Sequence, residues 1–149
     1  MYNGIYEKER FAYLHYTLER WLRLRLQGGG LGDNLAHSGV RTVAVYGVGG
    51  LGEDVLLDLE RSPVRVLCLI DCRAAEYPNG VNDLPVYDVA DYAVALDADV
   101  VLVTPEFAFR PIMNELTAAG VPMERIVSLA LALEERGRDI DGALAGDTG

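Results

Sequence analysis

Three glycines with a fixed spacing follow a short run of β-branched residues near the middle of this chain. Gly47, Gly49 and Gly52 form the pattern G-x-G-x-x-G. A second apolar run, residues 64–70, ends at Asp71, nineteen residues after the last of these glycines. In a βαβ unit such glycines permit a tight turn and the close approach of a phosphate, and the acid after the second strand binds a ribose. The order and spacing therefore predict a nucleotide-binding turn.

The candidate binding residues share one predicted position, the carboxyl edge of a parallel sheet. They are Gly47, Gly49, Gly50, Leu51, Gly52, Asp71, Arg73 and Thr104. Free N–H groups and the helix dipole after the glycine turn favour an anion. Arg73 is the one nearby cation that the sequence places, and it either reaches a phosphate or base or is an unliganded loop residue. Thr104 either binds a sugar hydroxyl or simply ends its strand.

Two acids argue against a tight diphosphate site at this turn. Glu53 and Asp54 fall in the first turn of the predicted helix, where negative side chains already neutralise the helix dipole. Lysine is almost absent from the chain, since Lys8 is the only one. The sequence thus predicts an anion site whose affinity is lowered by Glu53 and Asp54.

No arrangement of residues typical of catalysis stands out. The Tyr-x-x-x-Lys pair of short-chain dehydrogenases is missing, because Lys8 is preceded by Gly4 at the required spacing. His15 and His37 are predicted to lie far from the carboxyl edge. Two cysteines, Cys68 in a buried strand and Cys72 in an exposed loop, are too few for a zinc site. We therefore predict neither catalytic nor metal-binding residues.

The overall charge and hydropathy narrow the class of partner. The chain has 149 residues, of which 13 are basic and 23 acidic, so its net charge is −10. A surface this acidic repels phosphate backbones, which predicts that neither nucleic acid nor an anionic membrane is a partner. We find no signal-peptide pattern and no run of roughly 20 apolar residues, so the cytoplasm is the expected location.

Strand and helix patterns alternate after residue 41. The predicted strands are residues 42–46, 64–70, 84–87, 99–104 and 125–129. The predicted helices are residues 51–60, 89–96, 109–119 and 130–136. Near-continuous apolar strands separated by helices indicate a doubly wound α/β fold, with a parallel sheet covered on both faces and the strand order 3-2-1-4-5.

The first 26 residues predict one long helix. Its apolar positions recur at steps of three and four and are Phe11, Leu14, Leu18, Trp21 and Leu22. This stripe either pairs with a second copy of the chain in a homodimer or covers the chain's own sheet. Residues 28–32 are glycine-rich and end the helix, and Asp33 is predicted to cap a short helix that ends near His37.

These patterns divide the chain into three parts. Residues 1–32 form the N-terminal helix and its glycine-rich link, and residues 33–136 form the nucleotide-binding domain. Residues 137–149 are rich in glycine and aspartate, which predicts a disordered tail.

Residues 41 to about 130 resemble the small Rossmann-like domains attached to bacterial sugar-modifying proteins. Examples are the N-terminal domain of acetyltransferases acting on UDP-amino sugars and the C-terminal domain of sugar C-methyltransferases. The matching segments are residues 45–52, 69–71, 84–86, 99–105 and 125–129. The resemblance implies that Gly47, Gly49, Gly50 and Asp71 contact a nucleotide sugar. Cys72 departs from the pattern, because these domains often carry a second acid there.

Three functions follow as hypotheses. The first is a non-catalytic module that binds a nucleotide, a dinucleotide such as NAD or a nucleotide sugar, and that acts with a partner enzyme in bacterial sugar or polysaccharide metabolism. The second is a minimal NAD-dependent oxidoreductase or epimerase for nucleotide sugars, and Asp71 favours NAD over NADP. The third is an assembly protein that keeps the fold with a degenerate site.

Overall fold

Five parallel strands form the centre of the molecule in a computed structural model, which describes residues 2–95 and 97–134. The strands are β1 (Thr42–Tyr46), β2 (Arg65–Ile70), β3 (Val86–Tyr87), β4 (Val100–Val103) and β5 (Ile126–Ser128). Their order in the sheet is β3-β2-β1-β4-β5, and every neighbouring pair is parallel. This confirms the predicted Rossmann-like α/β fold and its strand order. The carboxyl ends of all five strands consequently lie along one edge.

Helices connect the strands and cover the sheet. They are α1 (Tyr2–Leu26), α2 (Leu31–His37), α3 (Gly50–Glu60), α4 (Val89–Ala95) and α5 (Phe109–Ala118). A sixth helix, α6, includes residues 129–134. Leu96 and residues 135–149 lie outside the described residues. The ends of the predicted helices 89–96 and 130–136 fall there, and so does the predicted tail, residues 137–149. The division of the chain at residues 32 and 136 stays a prediction. None of the described helices is both long and apolar enough to cross a membrane.

The apolar core has two layers because successive side chains of a strand point to opposite faces of a sheet. One layer packs Val43, Val45 and Leu102 against α2, α3 and α6. The other packs Tyr46 and Cys68 against α4 and α5, and Cys68 is buried as predicted. Both faces of the sheet are covered, which explains why the strand sequences are almost continuously apolar.

The inward face of α1 differs from the predicted stripe. Among its residues 8–26, the buried or half-buried side chains are Leu14, Thr17, Arg20, Trp21 and Leu24. Phe11 and Leu22 instead are 63% and 58% exposed, and Leu18 is exposed as well. The stripe of five apolar residues therefore does not cover the chain's own sheet as a whole, and its pairing with a second copy stays a prediction. A buried threonine continues the inward face, and the exposed apolar residues lie on a neighbouring face of the helix.

One buried carboxylate joins the first three helices. Asp58 on α3 is only 6% exposed. It accepts hydrogen bonds from Trp21 Nε1 at 2.7 Å and from the backbone N–H groups of Leu31 and Gly32, each at 3.1 Å. Asp58 thus caps the start of α2, and the prediction that Asp33 does so is wrong. Asp33 lies inside the first turn of α2, after Leu31 and Gly32, whose backbone N–H groups need the cap.

Candidate ligand-binding site

A cavity of about 350 Å³ opens at the carboxyl edge of β1 and β4. On the side of the sheet it is lined by Gly47, Val48, Gly49, Gly50, Leu51, Asp71, Arg73 and Thr104. The other wall consists of Arg10, Tyr13, Leu14 and Thr17 of α1, with Pro105, Glu106 and Phe107 after β4. The structure therefore brings every predicted site residue except Gly52 to one cavity.

The glycine turn requires glycine at two positions for different reasons. Gly47 has a φ of +112°, a conformation that L side chains rarely adopt, and its N–H donates to Ile70 O at 2.8 Å. A Cβ atom on Gly52 would collide with the carbonyl oxygen of Gly47. Gly52 thus lets α3 pack closely on the turn, as the glycine pattern predicts, and it does not line the cavity.

The start of α3 presents unpaired donors to this cavity. Gly49 is the N-cap residue and has no side chain to bond the first amides of the helix. No described group accepts a hydrogen bond from the N–H groups of Gly50 and Leu51. Such amides, together with the helix dipole, bind anions. Glu53 and Asp54 are exposed and outside the cavity lining, so water and salt screen the repulsion that their sequence position suggests.

Asp71 is held in place by its own neighbours. It is 5% exposed, and its carboxylate accepts hydrogen bonds from Val48 N at 3.0 Å, from Arg73 N at 2.8 Å and from Arg73 Nε at 3.1 Å. Burial raises the pKa of Asp71, but the hydrogen bonds from Arg73 and Val48 and the charge of Arg73 outweigh it. The net pKa lies below the ordinary value. Asp71 is therefore an anion that fixes the glycine turn to the end of β2.

This arrangement limits what Asp71 offers to a ligand. Both close contacts with Arg73 are made by Oδ1, and Val48 N bonds Oδ2. A carboxylate oxygen accepts about two hydrogen bonds. Oδ2 also has a long contact of 3.5 Å with Arg73 Nη2. A ligand hydroxyl can therefore bond Oδ2 only in place of that contact.

Thr104 is a structural residue of the site edge. It is 3% exposed, and its Oγ1 donates to Tyr46 O at 2.9 Å. β4 ends at Val103, so Thr104 follows the strand directly. Its hydroxyl proton is used to hold β1 beside β4, and only the acceptor capacity of the oxygen faces the cavity.

The wall made by α1 was not predicted from the sequence. Arg10 lies with its guanidinium carbon 5.6 Å from the centre of the Phe107 ring, which is a cation–π distance. No local pattern links residues so far apart in the chain. The sequence does show that the four α1 residues in the cavity lining could act together. They are residues 10, 13, 14 and 17, and this spacing places them on one helical face.

Glu106 lines the cavity but bonds elsewhere. Its Oε1 accepts a hydrogen bond from Ala130 N at 2.7 Å, at the start of α6. Burial raises the pKa of Glu106, and the hydrogen bonds from Ala130 and Ser128 only partly offset this effect. Glu106 thus connects the cavity edge to α6.

The two histidines lie elsewhere. His15 is mostly exposed and 3.5 Å from Glu19, and neither His15 nor His37 lines the cavity. Within residues 2–95 and 97–134, no three His, Cys, Asp or Glu side chains group closely enough to hold a metal ion. The cavity therefore offers binding groups, namely amides, two arginines and acceptor oxygens.

Replacing Asp71 with asparagine should lower the free energy of unfolding by about 1–2 kcal/mol at pH 7, because hydrogen bonds to a buried anion are lost. The pKa of Asp71 is below its ordinary value of 3.8 in the folded chain, so its stabilisation is present above pH 4. That stabilisation disappears as the pH falls through the folded-state pKa. Urea unfolding of both proteins at pH 7 and pH 3 measures the difference.

Asp54→Asn is the matched control, since Asp54 is exposed on the neighbouring helix. It should change stability by less than about 0.5 kcal/mol at either pH. A difference between wild type and Asp71→Asn that is as large at pH 3 as at pH 7 would contradict the stated role of the carboxylate.

Comparison with known proteins gives matches in structure only. No protein-family model and no curated protein matches the sequence. Two similar solved structures are the Rex-family repressor RSP, with a TM-score of 0.44 and 15% identity, and RSP in complex with β-NAD⁺ and operator DNA, with a TM-score of 0.43 and 16% identity. They match 73% and 74% of this chain, which spans 63% of the length of each RSP chain. At this identity the likeness concerns the fold alone.

Two predictions change with these comparisons. The attachment to sugar acetyltransferases and sugar C-methyltransferases finds no support, because no family model and no curated protein of that kind matches the sequence. The exclusion of nucleic acid as a partner is wrong, since one of the two structures is a complex with operator DNA. Net charge sums over a whole chain, whereas contact with DNA depends on where basic groups lie, so a total of −10 does not decide it.

Proposed function

We propose that this chain binds a nucleotide whose phosphate sits on the amides at the start of α3. The observation that carries the proposal is the cavity of about 350 Å³ beside the unpaired N–H groups of Gly50 and Leu51. Helix amides of this kind bind phosphate without any cationic side chain. The volume falls at the lower end of the range for small-molecule sites.

The rest of the cavity suits the sugar of a nucleotide. Asp71 Oδ2 can accept from a hydroxyl that replaces its long contact with Arg73 Nη2, and Thr104 has an acceptor oxygen. A ribose hydroxyl donates to groups of this kind. NAD is the first dinucleotide to test, because a glycine turn followed by a strand-end acid is typical of NAD sites. In this proposal the chain is a binding module, and the chemistry belongs to another protein.

Replacing Gly49 with aspartate separates binding from folding. Gly49 has extended φ and ψ angles that any residue adopts, and a Cβ atom there meets nothing within 4 Å. An aspartate at this N-cap should stabilise the fold by roughly 0.5–1 kcal/mol, because its carboxylate accepts hydrogen bonds from the first amides of α3. The same carboxylate repels a phosphate, so nucleotide affinity should fall by at least about tenfold.

Isothermal titration with NAD⁺, ADP and AMP measures the affinity, and urea unfolding measures the stability. Gly49→Asn is the matched control, since asparagine has the same shape and caps helices without a charge. Its loss of affinity should be smaller than that of Gly49→Asp. Wild-type protein that binds none of the three nucleotides at millimolar concentration, or Gly49→Asp that binds as tightly as wild type, would refute the proposal.

A further inference from the structure

Arg10 differs from the other arginines of α1 in its partners. Arg20 is 2.8 Å from Glu134, Arg23 is 3.0 Å from Glu19, and each thus faces a carboxylate. Among the described side chains, no carboxylate pairs with Arg10, whose guanidinium lies over the ring of Phe107. A ring face orients a guanidinium and leaves its N–H donors free at the edges. Arg10 is therefore an oriented cation with unused donors in the cavity wall.

The other charged side chains of the cavity are already hydrogen-bonded. Arg73 is bound to Asp71, and the Glu106 carboxylate bonds the amide of Ala130. Unused donors remain on two sides, namely the amides at the start of α3 on the sheet side and Arg10 on the α1 side. A ligand with one phosphate satisfies only the first of these. A ligand with a second phosphate satisfies both.

The cavity is small enough for one ligand to reach both walls. The glycine turn and the α1 side chains Arg10 and Tyr13 line the same space of about 350 Å³. Bidentate donors of arginine match phosphate oxygens in geometry as well as in charge. The ligand would lie between the sheet edge and the helix, in contact with both.

The attachment of α1 gives this contact a further effect. Trp21 and Arg20 tie the later part of the helix to Asp58 and Glu134. Arg10 lies eleven positions before Trp21, about 16 Å along a helix, and Phe107 is its contact with the domain. A ligand bound to Arg10 adds a second attachment near the start of α1.

We propose that α1 is part of the ligand site and that Arg10 binds the second phosphate of a nucleoside diphosphate or dinucleotide. This inference rests on the proposed function, because it requires the first phosphate to sit at the glycine turn. It specifies that the ligand is a diphosphate in preference to a monophosphate. It also adds a binding residue outside the βαβ unit.

The test compares ADP with AMP on the full chain by isothermal titration calorimetry. Arg10→Met keeps the length of the side chain and removes the charge. It should weaken ADP binding by about tenfold and AMP binding by less than about threefold, since a charge-assisted hydrogen bond to the second phosphate is lost. Arg10→Lys keeps the charge and should recover part of the ADP affinity. Bound ADP should also slow amide hydrogen exchange in residues 8–16 of wild type and not of Arg10→Met.

Arg23→Met is the matched control on the same helix, because Arg23 is exposed, lies outside the cavity lining and pairs with Glu19. Both its affinities should stay within about twofold of wild type. Equal weakening of ADP and AMP in Arg10→Met, or no weakening of either, would overturn this inference and leave the proposed function standing. Wild-type protein that binds neither nucleotide would overturn both.

Discussion

Replacing Gly52 with alanine should destabilise the fold by about 3 kcal/mol or more. The added methyl group would overlap the carbonyl oxygen of Gly47, and both groups belong to rigid backbone. No flexible side chain is available to move aside, so α3 and the turn after β1 must separate. The urea midpoint measures the loss. The same separation displaces the amides of Gly50 and Leu51, so nucleotide binding should disappear as well.

Gly50→Ala is the matched control for this substitution. Gly50 is also on α3, and a Cβ atom there meets nothing within 4 Å. Alanine in a helix is favoured over glycine by up to about 1 kcal/mol, so the midpoint should stay equal or rise slightly. A Gly52→Ala protein with the urea midpoint of wild type would show that α3 does not pack against the turn as described.

Replacing Asp58 with alanine should cost about 3–5 kcal/mol. Three buried donors, Trp21 Nε1 and the N–H groups of Leu31 and Gly32, would lose their acceptor. Each unsatisfied buried donor costs about 1–3 kcal/mol, partly recovered where water enters. The loss concerns the junction of α1, α2 and α3 and not the sheet.

The fluorescence of Trp21 reports this change directly, because the chain has a single tryptophan. Its emission should shift to longer wavelength in Asp58→Ala, since the indole becomes exposed to water when α1 separates. Asp54→Ala on the same helix is the control and should leave both emission and urea midpoint near those of wild type, because Asp54 is exposed. An unshifted Trp21 emission in Asp58→Ala would contradict the described anchoring of α1.

Much of the fold follows from local patterns in the sequence. β1 extends over Thr42–Tyr46, as its apolar run predicts, and the strand order follows from the alternation of strands with helices. The glycine positions 47 and 52 are likewise readable, because a positive φ and a close backbone approach leave no other residue type. These features depend on residues close together in the chain.

Features that depend on distant residues were not predicted. Asp58 caps a helix that starts 27 residues before it, and no local sequence pattern predicts such a contact. Thr17 is buried in place of a larger apolar residue, because the side of α1 that faces inward is set by where the helix docks. Arg73 was predicted either to reach a phosphate or base or to be an unliganded loop residue, and its bond to Asp71 was not predicted. Sequence periodicity shows which residues can share a face of a helix, but it does not show which face packs or what it packs against.

The attachments of α1 also bear on the order in which the molecule assembles during its synthesis. A ribosome makes this helix before it makes Asp58 and Glu134, which hold Trp21 and Arg20. Until then Trp21 and the neighbouring apolar side chains have no surface to pack on, and nascent segments of this kind are bound by chaperones. The wall that carries Arg10 is thus among the last parts of the molecule to reach its final position.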